Sequence, residues 1–206
     1  MNVQDWFVTH NGQCQRRPTA RAWDLLREPY YLHQFLTEIL DILSHAPNEL
    51  EEWDYLPQIR RKVRQLVINS YWLKTQYTLP DNQVGAQVTT LYDEIGYPLT
   101  VQNVVTMPGF LSPIHNHGTW GILFQLEGKD RHQFWRRVNS LEAPFRIEPM
   151  GEYVLKPGEI LSFHPDAIHQ VSTVGQTPSI NFQLYGDTQP QGRFQFKPAS
   201  QTAKPF

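Results

Sequence analysis

The chain has 206 residues, a formal net charge of −2 at pH 7, 40% hydrophobic and 13% aromatic residues, which supports a real core and argues against a disordered chain. With no long basic block, nucleic acid is not an expected partner, and the length suits one domain with elaborations rather than two. Cys14 is the one cysteine, so an internal disulfide is excluded and a cytoplasmic location fits; the start MNVQDWFVTHNGQCQRR lacks the apolar core of a signal peptide, and no run is long enough to span a bilayer.

From about Ala20 to Trp72 the texture is helical. In YYLHQFLTEILDIL the apolar residues Leu32, Phe35, Leu36, Ile39, Leu40 and Leu43 recur at helical spacing, with Pro29 upstream and Pro47 and Asn48 punctuating the end. A second helix is predicted from about Pro57 to Trp72, with Ile59, Val63, Leu66 and Val67 on one face. The expectation is an N-terminal helical segment over 1–80 that packs on a second part over 81–206.

After Asp81 the pattern changes. The runs LTVQNVVTM, GILFQL, RHQFWRRV, EYVLK, ILSFH, HQVSTV and SINFQLYG are short, apolar or alternating, and separated by Pro and Gly turns. Many short strands at such spacing predict a mainly β sandwich or barrel. The Pro/Gln-rich tail QPQGRFQFKPASQTAKPF is expected to trail over the surface, partly disordered. There is no solenoid-type repeat and no low-complexity tract.

In PIHNHGTWGILFQLEG, His115 and His117 lie one residue apart. At i and i+2 on a strand two imidazoles share a face, either as solvated polar residues or as half of a metal site. KPGEILSFHPDAIHQV offers a third ligand. Pro157-Gly158 makes a turn, ILSF a strand, Pro165-Asp166 a second turn, and His169 begins the next strand. His164, five residues earlier, competes for that role and reads as a strand-end residue. His10, His33 and His45 show no spacing that suggests a site, and His132 in RHQFW reads as a solvent-facing strand position. Trp120 reads as a packing residue, and Glu127 beside Gly128 as a solvated strand end.

Gly109…His115-Asn-His117 resembles the first cupin motif, and the run from Gly151 through PGE…HPDAIH resembles the second. The match covers roughly the last 120 residues and implies a cupin double-stranded β-helix, a jelly-roll barrel. In cupins an acidic ligand follows H-x-H by three or four residues. That window here holds Trp120, Gly121 and Ile122, so the usual three-histidine, one-glutamate set is not expected. HNHGTWG is similar to the motif of the cysteine dioxygenase-like (thiol dioxygenase) cupins of bacterial type, which bind iron through three histidines and carry glycine at the acid position. SINFQLYG resembles their strand with a tyrosine at the site. The resemblance implies His115, His117 and His169 as metal ligands. It also implies Tyr185 as a catalytic residue beside the metal, Gln183 in the place of a supporting histidine, and an inward-facing row Ser179, Asn181, Gln183, Tyr185.

Neutral imidazole suits Fe, Zn, Cu and Ni alike, so the ligands alone do not select the ion. Three histidines leave its +2 charge uncompensated and favour an anionic bidentate ligand beside O2. The leading expectation is therefore a non-heme iron(II) dioxygenase that oxidises a small anionic, thiol-type molecule with O2. A metal-dependent lyase or isomerase using Zn, Ni or Mn as a Lewis acid and a non-catalytic small-molecule or metal-binding protein are the alternatives. The arginine with which thiol dioxygenases hold the substrate carboxylate has no counterpart in QVTTLYDEIGYPLTVQNVV, where Thr89, Thr90 and Tyr92 stand near its place. Arg131, Arg136, Arg137 and Arg193 remain as substitutes from other strands. L-Cysteine is on this ground expected to be a poor substrate.

Overall fold

Alternating β-branched and aromatic residues make strand formers of the runs that follow Asp81. The computed structural model describes residues 3–26, 29–45, 55–81, 85–138, 144–188 and 190–205. In chain order, β1 (Asp5–Val8) and β2 (Cys14–Arg17) are followed by two helices, α1 (Leu32–Ser44) and α2 (Leu56–Asn69). Then come β3 (Ala86–Asp93), β4 (Thr100–Thr106), β5 (Ile114–His115), β6 (Gly121–Glu127), β7 (Asp130–Arg137) and β8 (Ile147–Leu155). The last strands are β9 (Ile160–Phe163), β10 (Ile168–Thr173), β11 (Ser179–Tyr185), β12 (Phe194–Lys197) and β13 (Thr202–Pro205).

The strands form two sheets, ordered β2-β1-β9-β6-β11-β4-β3 and β13-β12-β5-β10-β7-β8. Numbered 1 to 8 from β4 to β11, the eight central strands run 6-3-8-1 in one sheet and 2-7-4-5 in the other. All their pairings are antiparallel, and only β7 and β8 are consecutive partners within one sheet. That order is the jelly roll, so the mainly β double-stranded helix expected from the sequence is the observed fold. Val8, Leu123, Phe134, Leu155, Leu161 and Phe163 form a buried cluster of that unit. Burying each such side chain contributes about 1.5–3 kcal/mol.

The chain divides into two compact units, residues 1–17 with 77–206 and residues 18–76. The helical unit is thus shorter than the 1–80 read from sequence. β1 joins the jelly roll by running parallel to β9, with Val8 opposite Phe163, and β2 pairs with β1. Within the helical unit, Phe35 and Ile39 of α1 and Ile59, Val63, Leu66 and Val67 of α2 are buried, as their spacing predicts. Asn69 ends α2 by donating to the Leu25 and Gln65 carbonyls, each at 2.8 Å. Pro47 and Asn48 lie outside the described residues. No helix among the described residues is long and apolar enough to cross a membrane.

The tail departs from expectation. Instead of trailing, it forms the β12–β13 hairpin, which extends the second sheet beyond β5. The reason is apolar: Phe196 is buried and packs with Ile147 and Ile168, while Phe194 and Ala203 flank them. Alternation of Phe194, Phe196 and polar residues is a strand signal that the Pro/Gln content obscured.

Candidate metal centre

His115 and His169 are direct cross-strand partners on β5 and β10. His117 leaves β5 on the same side as His115, because positions two apart share a face. The turn before β10 brings the third imidazole in. Asp166 N–H donates to His164 Nδ1 at 3.1 Å, Ala167 N–H to the His164 carbonyl at 2.9 Å, and Gly118 N–H to the Pro165 carbonyl at 3.2 Å. One ring nitrogen from each of His115, His117 and His169 lies within 4.8 Å of the others. Nε2 of His117 and Nε2 of His169 are 2.9 Å apart, a spacing suited to neighbouring ligands of one small cation with bonds of about 2.0–2.1 Å. His164 is outside this group; its ring lies edge-on to His10, with centroids 5.7 Å apart.

The histidines are held in the ligating form. Nδ1–H of His115 donates to the Pro113 carbonyl at 2.9 Å, which leaves Nε2 as the lone-pair nitrogen. Burial lowers the pKa of all three, and their mutual repulsion and the charge of Arg193 push His117 further down. Neutral imidazole is the form a cation needs. The donor set therefore fits a divalent metal.

His132 is not solvent-facing, as RHQFW had been read, but fully buried. Its Nδ1 is 3.3 Å from Nδ1 of His169, and the two rings are nearly parallel. A His169 that ligates through Nε2 has its proton on Nδ1, and His132 Nδ1 accepts it. Burial pushes the pKa of His132 down to about 3, which keeps it able to accept. Parity carried the signal: His132 shares a strand face with Phe134, also buried. Asp130 has the same parity and is also fully buried.

His115, His117 and His169 line a cavity of about 380 Å³. Asn181, Gln183 and Tyr185 line it from β11, so the polar row of SINFQLYG faces inward; Ser179 at its end is buried too. Tyr185 stacks on His117 with ring centroids 4.8 Å apart and donates its hydroxyl proton to Gln183 Oε1 at 3.0 Å. Trp120 is buried, and Glu127 is exposed at its strand end.

Asn116, between the two histidines, faces the other way and is fully buried. Its Nδ2 donates to the Gly192 carbonyl at 2.6 Å, and its Oδ1 accepts from Phe194 N–H at 2.8 Å. This clasp fixes Arg193, which lines the cavity. Arg131 lies beside Glu152, Arg136 pairs with Glu148, and Arg137 lies over the Phe194 and Phe196 rings; none of the three lines the cavity. Thr89, Thr90 and Tyr92 are not among the cavity-lining residues. No short motif announced Arg193, because its position depends on a contact with Asn116, 77 positions earlier in the chain.

Gly121 does not leave empty space at the acid position of the motif. It is the cross-strand partner of Tyr185, and a Cβ there would lie 2.7 Å from Tyr185 Cε1 and 2.8 Å from Cδ1. A glutamate must displace that ring before it can reach an ion. Gly121→Ala is expected to destabilise the protein by about 1–3 kcal/mol through overpacking. Chemical denaturation checks this, and a variant as stable as the parent refutes the close approach.

The buried His115, His132 and His169 and the half-buried His117 also set the acid response. Their folded pKa values lie below the ordinary 6.5, so the stabilisation is complete above pH 6.5 and is lost as pH falls below it; for His132 the loss continues to about 3. Each histidine costs about 1.4 kcal/mol per pH unit in its window. Asp130, raised to about 6 by burial, works in the opposite direction and offsets one of them between about 6 and 3.8. Protein stripped with a chelator is expected to lose denaturation midpoint steeply between pH 7 and 5, and a flat profile contradicts the burial of neutral histidines.

Jelly roll and three-histidine cluster together define the class as a β-sandwich with a candidate metal-binding cavity. No family model matches the chain. Solved structures similar to it include an oxalate oxidase in complex with the substrate analogue glycolate, at 19% identity, TM-score 0.43, covering 56% of this chain and 58% of that one. A cupin superfamily protein from Desulfitobacterium hafniense is similar at 13% identity and TM-score 0.42, covering 56% and 87%. The Mn(II)-containing oxalate decarboxylase of Bacillus subtilis is similar at 17% identity and TM-score 0.42, covering 57% and 29%. The matched part thus spans less than two thirds of the oxidase and decarboxylase chains. The fold assignment rests on strand order.

Proposed function

We propose that the protein is a non-heme iron(II) dioxygenase that oxidises a small anionic, thiol-type substrate with O2. The observation that carries this reading is the ligand group itself: among the described residues it holds three histidines and no carboxylate. An ion held only by neutral nitrogens keeps its full charge and attracts an anionic sulfur or oxygen. Iron bound there would supply the open positions at which such a ligand and O2 meet.

The chain's own residues orient the substrate. Arg193 lines the cavity and acts electrostatically on His115, His117 and Tyr185, which suits it to hold a carboxylate. Leu123, Val104 and Val171 give the cavity apolar walls that strengthen each polar contact by excluding water. At about 380 Å³ it lies near the small end of ligand pockets. A small molecule and O2 are therefore the partners in this reading, with the cytoplasm as its setting.

The test combines metal analysis with oxygen uptake on the protein as purified and after reconstitution with iron. Stoichiometric iron and O2 consumption that depends on a small thiol support the proposal. Turnover without O2 replaces it with a Lewis-acid lyase or isomerase, and ligand binding without turnover replaces it with a binding protein.

A further inference from the structure

A row of hydrogen bonds runs along the inner face of β11, away from the candidate metal centre. Tyr185 donates to Gln183 Oε1 at 3.0 Å, Gln183 Nε2 to Asn181 Oδ1 at 2.7 Å, and Asn181 Nδ2 to Asp130 Oδ2 at 3.0 Å. Every donor points the same way, and the row ends on the one group that is acceptor-only when ionised. Two side branches obey the same polarity. Gln125 Nε2 donates to Ser179 Oγ at 2.6 Å, and Thr173 Oγ1 to Thr106 Oγ1 at 2.7 Å. The Ser179 and Thr106 hydroxyl protons are thereby free to act on Asp130, whose carboxylate both hydroxyls favour.

We propose that Asp130 is a positioning residue for Tyr185: through Asn181 and Gln183 it holds the tyrosine hydroxyl as a donor into the protein, so that the Tyr185 oxygen faces the cavity as a hydrogen-bond acceptor. The consequence for substrate class rests on the function proposed above. A tyrosine fixed in this way favours a substrate that carries an N–H or O–H donor beside its metal-binding atom, and disfavours one with only acceptors there.

Amides do not relay protons here, but they relay orientation. For Tyr185 to donate into the cavity, Gln183 must turn its Nε2 toward the phenol. That turn sets Gln183 Nε2 against Gln102 Nε2, which now donates to Gln183 Oε1 at 2.8 Å. Gln102 on β4 thus supports the polarity from one side, and Asp130, acceptor-only when ionised, sets it from the other. A protonated Asp130 is no longer acceptor-only, and this hold loosens. The groups facing the carboxylate from β4 and β11 are Thr106, Ser179 and Asn181. Its strand partners on β8 and β10 are Leu155 and Thr173. None of these is titratable. On its own strand, His132 shares its face and Lys129 precedes it.

The experiment follows Tyr185 directly, in metal-free protein without substrate, so its outcome does not depend on the dioxygenase reading. Protein carrying ¹³Cζ-tyrosine is titrated by NMR, with Tyr185 assigned by its loss in Tyr185→Phe. The Tyr185 resonance is expected to shift along the same curve as the Asp130 carboxyl carbon, assigned through Asp130→Asn. In Asp130→Asn, nearly isosteric but uncharged, that inflection disappears, while any shift caused by the stacked His117 persists. In Asn181→Ala, Asp130 still titrates and Tyr185 no longer follows it. A Tyr185 curve unchanged in Asp130→Asn overturns the proposal, as does one that still tracks Asp130 in Asn181→Ala. Should Asn181→Ala not fold, Asp130→Asn decides alone.

Discussion

Alanine at His115, His117 or His169 is expected to take bound divalent metal from one ion per chain to almost none, whereas alanine at His164 leaves occupancy unchanged. The three converge through ring nitrogens within 4.8 Å, while His164 accepts a backbone N–H from its own turn. Partners that only orient a ligating histidine typically contribute 10- to 100-fold in metal affinity. Loss of a ligand must cost more, since one of only three bonds to the protein disappears. His132→Leu should fall between these limits, at roughly 10- to 100-fold, because it removes the acceptor for His169 Nδ1 and leaves the ligands in place. Metal analysis after gel filtration reads the first effect, and competition titration with a chromogenic chelator reads the second. Full occupancy in His169→Ala with loss in His164→Ala would move the third ligand to the other side of the turn. Unchanged affinity in His132→Leu would reduce its contact with His169 to packing.

Local pattern made some of this legible and hid the rest. Periodicity located both helices and seven of the strands, because a half-buried element repeats its apolar residues at its own pitch. It missed β1, β2, β3 and the two-residue β5, and also β12 and β13. Several of these are at or next to sheet edges, where DWFV, CQRR and TAKP show little alternation and depend on a neighbour strand for their pairing. His115, His117 and His169 could be proposed because two lie one residue apart beside a short strand and the third follows a proline turn. His132 and Asp130 are legible too, because Phe134 sets the inward parity of β7 and both share it. Arg193 was not readable: its place follows from hydrogen bonds between Asn116 and residues 192 and 194. Gly121 stands where the resemblance to cupins would put an acid, but the ring that fills the adjacent space comes from β11, and only the register of β6 against β11 reveals it.

Arg193→Gln is expected to raise the KM for a thiol that carries a carboxylate by roughly 10- to 100-fold, and to leave a carboxylate-free thiol almost unaffected. Under the function proposed above, this expectation runs against the one drawn from the sequence. The region around β3 and β4 supplies no arginine, and L-cysteine looked unfavourable for that reason. The structure places a guanidinium in the same cavity from the other end of the chain. A charge-assisted hydrogen bond contributes about 1.5–3 kcal/mol, which is the stated range of affinity. Lysine at this position keeps the charge but not the planar fork, so Arg193→Lys should recover only part of the loss. The comparison is L-cysteine against its decarboxylated analogue, 2-aminoethanethiol, with O2 uptake measured for parent and variants. Parent protein should prefer the carboxylate-bearing thiol, and Arg193→Gln should erase that preference through KM while kcat changes less, because the arginine contacts a part of the substrate that does not react. Equal losses for both thiols would mean that Arg193 acts on the metal centre through the charges of its neighbours rather than on the substrate. No preference in the parent would mean that the guanidinium serves the hairpin and that the anchor lies elsewhere.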